Sequence, residues 1–186
     1  EHMAQASSQI SSLFAECVLD LQHLARQIAD AGADALMISD PLAGRSGLRW
    51  PPERLRQVYF PFLTLLAHVV HQQGLLFFLR APGALSPVFE DVVAAEVDGL
   101  QGFCEGGRGS LSDLRSVVGR HFCLWGGVDA TLLSLPDVEV WLVEHLRAWH
   151  SGPAGIPTIL GTRNGLTEEM DLLEVERLDA IWAAVE

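Results

Sequence analysis

Residues Leu75-Leu76-Phe77-Phe78-Leu79-Arg80-Ala81-Pro82-Gly83 read LLFFLRAPG: five large apolar residues, an arginine, and a tight Ala-Pro-Gly turn. The apolar run is strand-length and shows no alternation, so both of its faces are predicted to be covered. Gly74 and Gly83 bound it as turn residues. The cation closing such a run is the first feature that needs a reason.

Working outward, the run is flanked by helical patterns. Residues 50–74 carry apolar positions at helical spacing, entered through Pro51-Pro52, and Pro61 is expected to kink or split this helix. Residues 86–96 read as a short helix with Ser86 at the N-cap and Pro87 at the first helical position. The same alternation continues in both directions. Strands are predicted over 33–40, 75–80, 97–103, 122–129 and 158–162, and helices over 8–31, 50–74, 86–96, 111–119, 137–151 and 172–186. Alternating strands and helices imply right-handed crossovers and an α/β fold with parallel strands. In such folds ligands gather at the C-terminal ends of the strands. Asp40, Arg80, the EGGRG of 105–109, the GGVD of 126–129 and the GTRNG of 161–165 all fall at such ends.

Composition narrows the function classes. The chain has 186 residues, 49% hydrophobic and 19% charged, which suits a globular domain. Its net charge of −12 repels phosphate backbones, so no nucleic-acid partner is expected. No apolar run approaches the roughly 18 residues needed to span a bilayer, and no secretory signal is visible. Cys17, Cys104 and Cys123 lack metal or redox spacing and read as reduced thiols of a cytoplasmic protein. All twelve basic residues are arginines, which removes Schiff-base and lysine-base chemistry and leaves arginine, histidine or backbone amides for anion recognition. Residues 1–9 are expected to be a tag remnant, Glu1-His2-Met3, and a disordered N-terminus; residues 10–186 form the domain. The CEGGRGS of 104–110 lacks the lysine and spacing of a phosphate loop. His68 and His71 stand at a spacing that permits metal binding, with no third ligand in view.

Four strings in this order, AGADALMISDPLAG (31–44), FPFL (60–63), VDGLQGF (97–103) and VGRHFCLWGGVDATLL (118–133), carry a resemblance. The chain resembles the C-terminal portion of the uroporphyrinogen decarboxylase superfamily, which also contains corrinoid and coenzyme M methyltransferases. The resemblance implies a TIM-like barrel, of which this chain supplies about five βα units out of eight. It implies cofactor-free carboxy-lyase chemistry or binding of a tetrapyrrole-like small molecule, incomplete in this chain alone. Corrinoid-dependent methyl transfer and a noncatalytic scaffold are the alternatives. A partial barrel leaves edges and core open, so a homodimer or a missing N-terminal half is the expected partner.

Under that resemblance Asp40 is the catalytic candidate, stabilising a protonated ring, with helix capping or loop ordering as its other reading. Arg80, Arg163, Asn164 and Asp129 are the substrate-binding candidates. A guanidinium suits bidentate carboxylate recognition, although Arg80 has an equal claim to a structural ion pair with Asp40, Asp129 or Glu105. For Asp129 a cap for the loop and the helix that follows is the favoured reading. The methyltransferases hold zinc through a His-x-Cys pair at the end of the strand matching LLFFL. Arg80 and Pro82 stand at those places here, so no metal and no cofactor are expected.

Overall fold

The computed structural model describes residues 2–44, 47–104, 117–119, 121–150, 157–162, 165 and 170–185. Leu76–Arg80 is indeed a strand, β4, and its neighbours are parallel on both sides. The sheet has five parallel strands in the order β1 (Ala35–Ser39), β4, β5 (Gly99–Cys104), β6 (Cys123–Val128) and β7 (Thr158–Thr162). A two-stranded ribbon, β2 (Ala43–Gly44) with β3 (Gly47–Leu48), interrupts the loop after β1 and was not legible in the sequence. The expected α/β fold with about five parallel units is therefore present. Among the described residues the sheet does not close: β1 and β7 border no further strand.

Strand parity divides the sheet into two faces. Leu36, Phe77, Leu79, Leu100, Leu124 and Val128 point to the helix layer and belong to the main core, with Ile38 and Leu160 half-buried against it. They meet Leu63, Leu66 and Val70 of α3 (Phe60–His71), Val92 of α4 (Phe89–Ala94), Leu142 of α5 (Val138–His150) and Ile181 of α6 (Leu172–Val185). Each such side chain, fully buried, contributes about 1.5–3 kcal/mol. Phe78 and Cys123 are also buried, yet they stand apart from that core, on the other face of the sheet. This second face is called the inner face below. Its flanks are open, with Met37 37%, Leu76 49% and Ile159 40% exposed.

The helix preceding β4 shows how Pro61 is tolerated. A short α2 (Pro52–Arg54) runs into a π turn, Leu55–Tyr59, and then into α3. The Phe60 N–H reaches back to the Leu55 carbonyl, so the widened turn absorbs the missing N–H and ring bulk of Pro61 without breaking the helix. The first helix, α1, runs over His2–Asp30, beginning earlier than the periodicity indicates. It packs on α3 through Phe14 stacked on Phe62, with ring centroids 4.2 Å apart. Ser86 opens a 3₁₀ turn, Ser86–Val88, and makes no capping hydrogen bond; the N-cap position falls on Leu85. Of the helix expected over 111–119, only residues 117–119 lie among those described.

Candidate functional site

The C-terminal ends of β1, β4 and β5 are drawn together by loops that only small residues allow. Gly83 has φ of +120°, and a Cβ there would fall 2.8 Å from the Ala43 Cβ, so the loop after β4 lies directly on the β2 ribbon. Gly102 has φ of +111° and occupies a bulge between Gln101 and Phe103. A Cβ at Gly102 would stand 3.1 Å from the Pro82 nitrogen. The turn of LLFFLRAPG is thus clamped between two neighbouring loops, which fixes the stem of Arg80.

Arg80 pairs in register with Ser39 on β1 and with Gln101 on β5. Parity sends all three to the inner face. The Arg80 Nη1 donates to the Ser39 Oγ at 3.1 Å. Among the described residues no ion pair joins Arg80 to a carboxylate, so its pairing with Asp40 or Asp129 is not seen; Glu105 lies outside the described residues. Arg80 is a half-buried residue at the C-terminal end of the sheet, and among the described residues its guanidinium is held by the Ser39 hydroxyl. Gln101 is buried beside it, its Nε2 donating to the Thr162 carbonyl at 3.3 Å and tying β5 to the end of β7.

Asp40 does not share that face. Its N–H continues the ladder to the Arg80 carbonyl at 2.9 Å, and its side chain lies beside Tyr59 in the helix layer. The Tyr59 hydroxyl is buried, close enough to feel the Asp40 charge but short of hydrogen-bond geometry with any described group. Burial, and then the Asp40 carboxylate, push the phenol far above its ordinary value of 10.0. The sequence-level candidates Asp40 and Arg80 are therefore neighbours along the backbone ladder whose side chains serve different faces.

Asp129 is the N-cap of the 3₁₀ turn Ala130–Leu132, its Oδ1 accepting from the Thr131 N–H at 3.1 Å and from the Thr131 hydroxyl at 2.8 Å. Arg163 and Asn164 lie outside the described residues. His68 and His71 each meet their own carboxylate, Glu96 at 2.9 Å and Asp98 at 2.7 Å. Asp98 Oδ2 also accepts from the Phe77 N–H, so this pair fastens the N-terminal end of the sheet, opposite the site. Among the described residues no group of three histidines, cysteines or carboxylates is placed to hold a metal.

Tyr59, Ser39, Gln101 and Trp125 were not singled out from the sequence. Gln101 had a signal, a lone amide in an otherwise apolar strand. Trp125 had another, since the glycines of LWGGV leave it the only large ring at that end of its strand.

In its fold the chain resembles a methyltransferase from Methanosarcina mazei. The two superpose with a TM-score of 0.66 at 24% sequence identity, over 88% of this chain and 46% of the other. The chain thus spans less than half the length of that protein, and at this identity the likeness is one of fold. A citrate synthase, SbnG, aligns over 88% of this chain and 69% of its own at 12% identity, with a TM-score of 0.49. No protein-family profile matches the sequence, and no curated protein matches it.

The zinc site that the sequence resemblance to the methyltransferases would imply does not fit the end of β4. Arg80, Ala81 and Pro82 present a guanidinium, a methyl and a pyrrolidine ring, none of which ligates zinc.

Proposed function

We propose that the chain is the ligand-holding half of a methyltransferase-like barrel, and that its strand-end site binds the anionic end of a small molecule through Arg80. The observation that carries this reading is the Arg80 guanidinium, fixed at the end of β4, held by Ser39 and matched to no carboxylate among the described residues. A guanidinium so placed offers bidentate donors to a carboxylate or phosphate. Where the family resemblance would imply a zinc-binding His-x-Cys pair, this chain carries Arg80 and Pro82, and the guanidinium would bind and orient an anionic group. Closure of the barrel, by a second copy or by another chain segment, belongs to the same reading, and so do any further reacting groups.

Calorimetric titration of the whole chain with acetate, phosphate, a corrinoid and a porphyrin carboxylate, repeated with Arg80→Ala, tests it. Saturable anion binding that falls at least tenfold in Arg80→Ala, at an unchanged melting temperature, is the expected result. Anion binding indifferent to Arg80, or one zinc ion retained per chain, overturns it. A porphyrin carboxylate bound in preference to the corrinoid would restore the decarboxylase reading.

A further inference from the structure

We infer that Tyr59 is a positioning residue of the Arg80 site: its buried phenol holds the Asp40 carboxylate on the helix side of the sheet and keeps Arg80 open to an outside anion. This rests on the reading of Arg80 as an anion site and adds what keeps that site open.

The strand ends carry their own competitor for an anion. Asp40 donates its N–H to the Arg80 carbonyl at 2.9 Å, one residue beyond the last paired position, Ser39 with Arg80. A strand spacing of about 4.8 Å and a rise of about 3.3 Å put the Asp40 and Arg80 Cα atoms about 6 Å apart. An arginine and an aspartate at that separation can reach each other. A carboxylate turned to the Arg80 side would take two donors of the guanidinium fork and shut out a ligand. Asp129, at the end of β6, is engaged already, since it caps the next turn through Thr131. Asp40 has no such engagement. Among the described residues its carboxylate makes no hydrogen bond and no ion pair.

Parity turns that carboxylate to the helix layer, and there it lies beside Tyr59. Tyr59 is 6% exposed, and its hydroxyl is buried with no hydrogen-bond partner among the described residues. A donor and an acceptor that each lack a partner thus stand side by side. An unmatched buried phenol is costly, so the charge-assisted bond the two can make favours Asp40 on this side. The helix builds the placement. Tyr59 is the last residue of the π turn, whose extra residue rephases the side chains that follow. The rings of Phe60 and Phe62, 5.6 Å and 6.5 Å away, wall the phenol in. Removing the hydroxyl leaves those ring contacts in place and takes away only the hold on Asp40.

Titrations with acetate and phosphate in Tyr59→Phe, Asp40→Asn and the double variant test this. Tyr59→Phe is expected to weaken both anions by about fivefold, the strength of one competing ion pair, without lowering the melting temperature. Adding Asp40→Asn to Tyr59→Phe should restore wild-type affinity, and Asp40→Asn alone should not weaken binding. A residue that only props the fold would lose stability along with affinity and would not be rescued. The Arg80 Nε–H resonance, assigned by its loss in Arg80→Ala, reads the pairing without a ligand: it should shift in Tyr59→Phe and return in the double variant. Asp40→Glu, whose carboxylate overruns the phenol by one methylene, should weaken the anions in the same way, so the test does not hang on one variant folding. Arg80-dependent binding unchanged in both Tyr59→Phe and Asp40→Glu would overturn the positioning role and leave the anion site standing. Loss in Tyr59→Phe without rescue by Asp40→Asn would overturn it too. No anion binding by the wild type would overturn both the role and the site.

Discussion

Tyr59 is the single tyrosine of the chain, which makes its phenol an isolated reporter. Burial and the neighbouring Asp40 charge both oppose its ionisation, raising its folded pKa above the ordinary 10.0. The sign of the linkage follows. Below pH 10 the phenol is neutral in both folded and unfolded chains and its contribution to stability is complete. Above pH 10 the unfolded chain releases the proton while the folded one does not, so stability is lost as pH rises. Tyrosinate absorbance in an alkaline titration is therefore expected to stay flat through pH 10 and to rise only with global unfolding followed by circular dichroism. A native-state midpoint near 10 would refute the burial. Tyr59→Phe should extend the alkaline stability limit. Arg80 was legible at this scale because a cation ending an apolar strand is visible in the sequence. Tyr59 was not, because its partnership with Asp40 depends on a π turn that rephases the helix, and on parity that turns Asp40 away from Arg80.

Among the elements, α4 ends under strain. Glu96, just past its C-terminus, has φ of +61°, the left-handed conformation that glycine usually supplies at this position. Its return is an ion pair with His68, in which both side chains are more than half exposed, and such pairs contribute little. Glu96→Gly should therefore be more stable than Glu96→Ala by about 1 kcal/mol, since both lose the ion pair and only glycine relieves the backbone. Urea denaturation of the two variants measures this; equal midpoints would show that the loop relaxes without glycine. Element types were legible wherever apolar patterning was long: all five sheet strands fall within two residues of their expected ends. The β2–β3 ribbon was not, because two-residue strands are too short to show a period. Gly83 lets the loop after β4 lie against Ala43 of that ribbon.

At the scale of the whole molecule, the inner face sets the strongest constraint. All-parallel sheets are stable with both faces covered, and helices cover only one face here among the described residues. Met37, Leu76 and Ile159 lie exposed on the flanks of the other, and β1 and β7 each leave one edge unpaired among the described residues. Exposed strand edges beside apolar surface favour association. Charge opposes it, since each copy carries −12, and that repulsion is screened as the Debye length falls from about 30 Å at 0.01 M salt to about 3 Å at 1 M. Self-association driven by the inner face should therefore strengthen with salt. Light scattering is expected to find species heavier than the 20.3 kDa chain, with the heavier fraction growing between 0.01 and 1 M salt. Met37→Glu together with Ile159→Glu should reverse that trend by placing charge on the apolar flanks, while leaving the helix-side core and its melting intact. A single 20.3 kDa species at every salt concentration, unfolding cooperatively, would mean that the open face is tolerated in water and that the sheet needs no second layer.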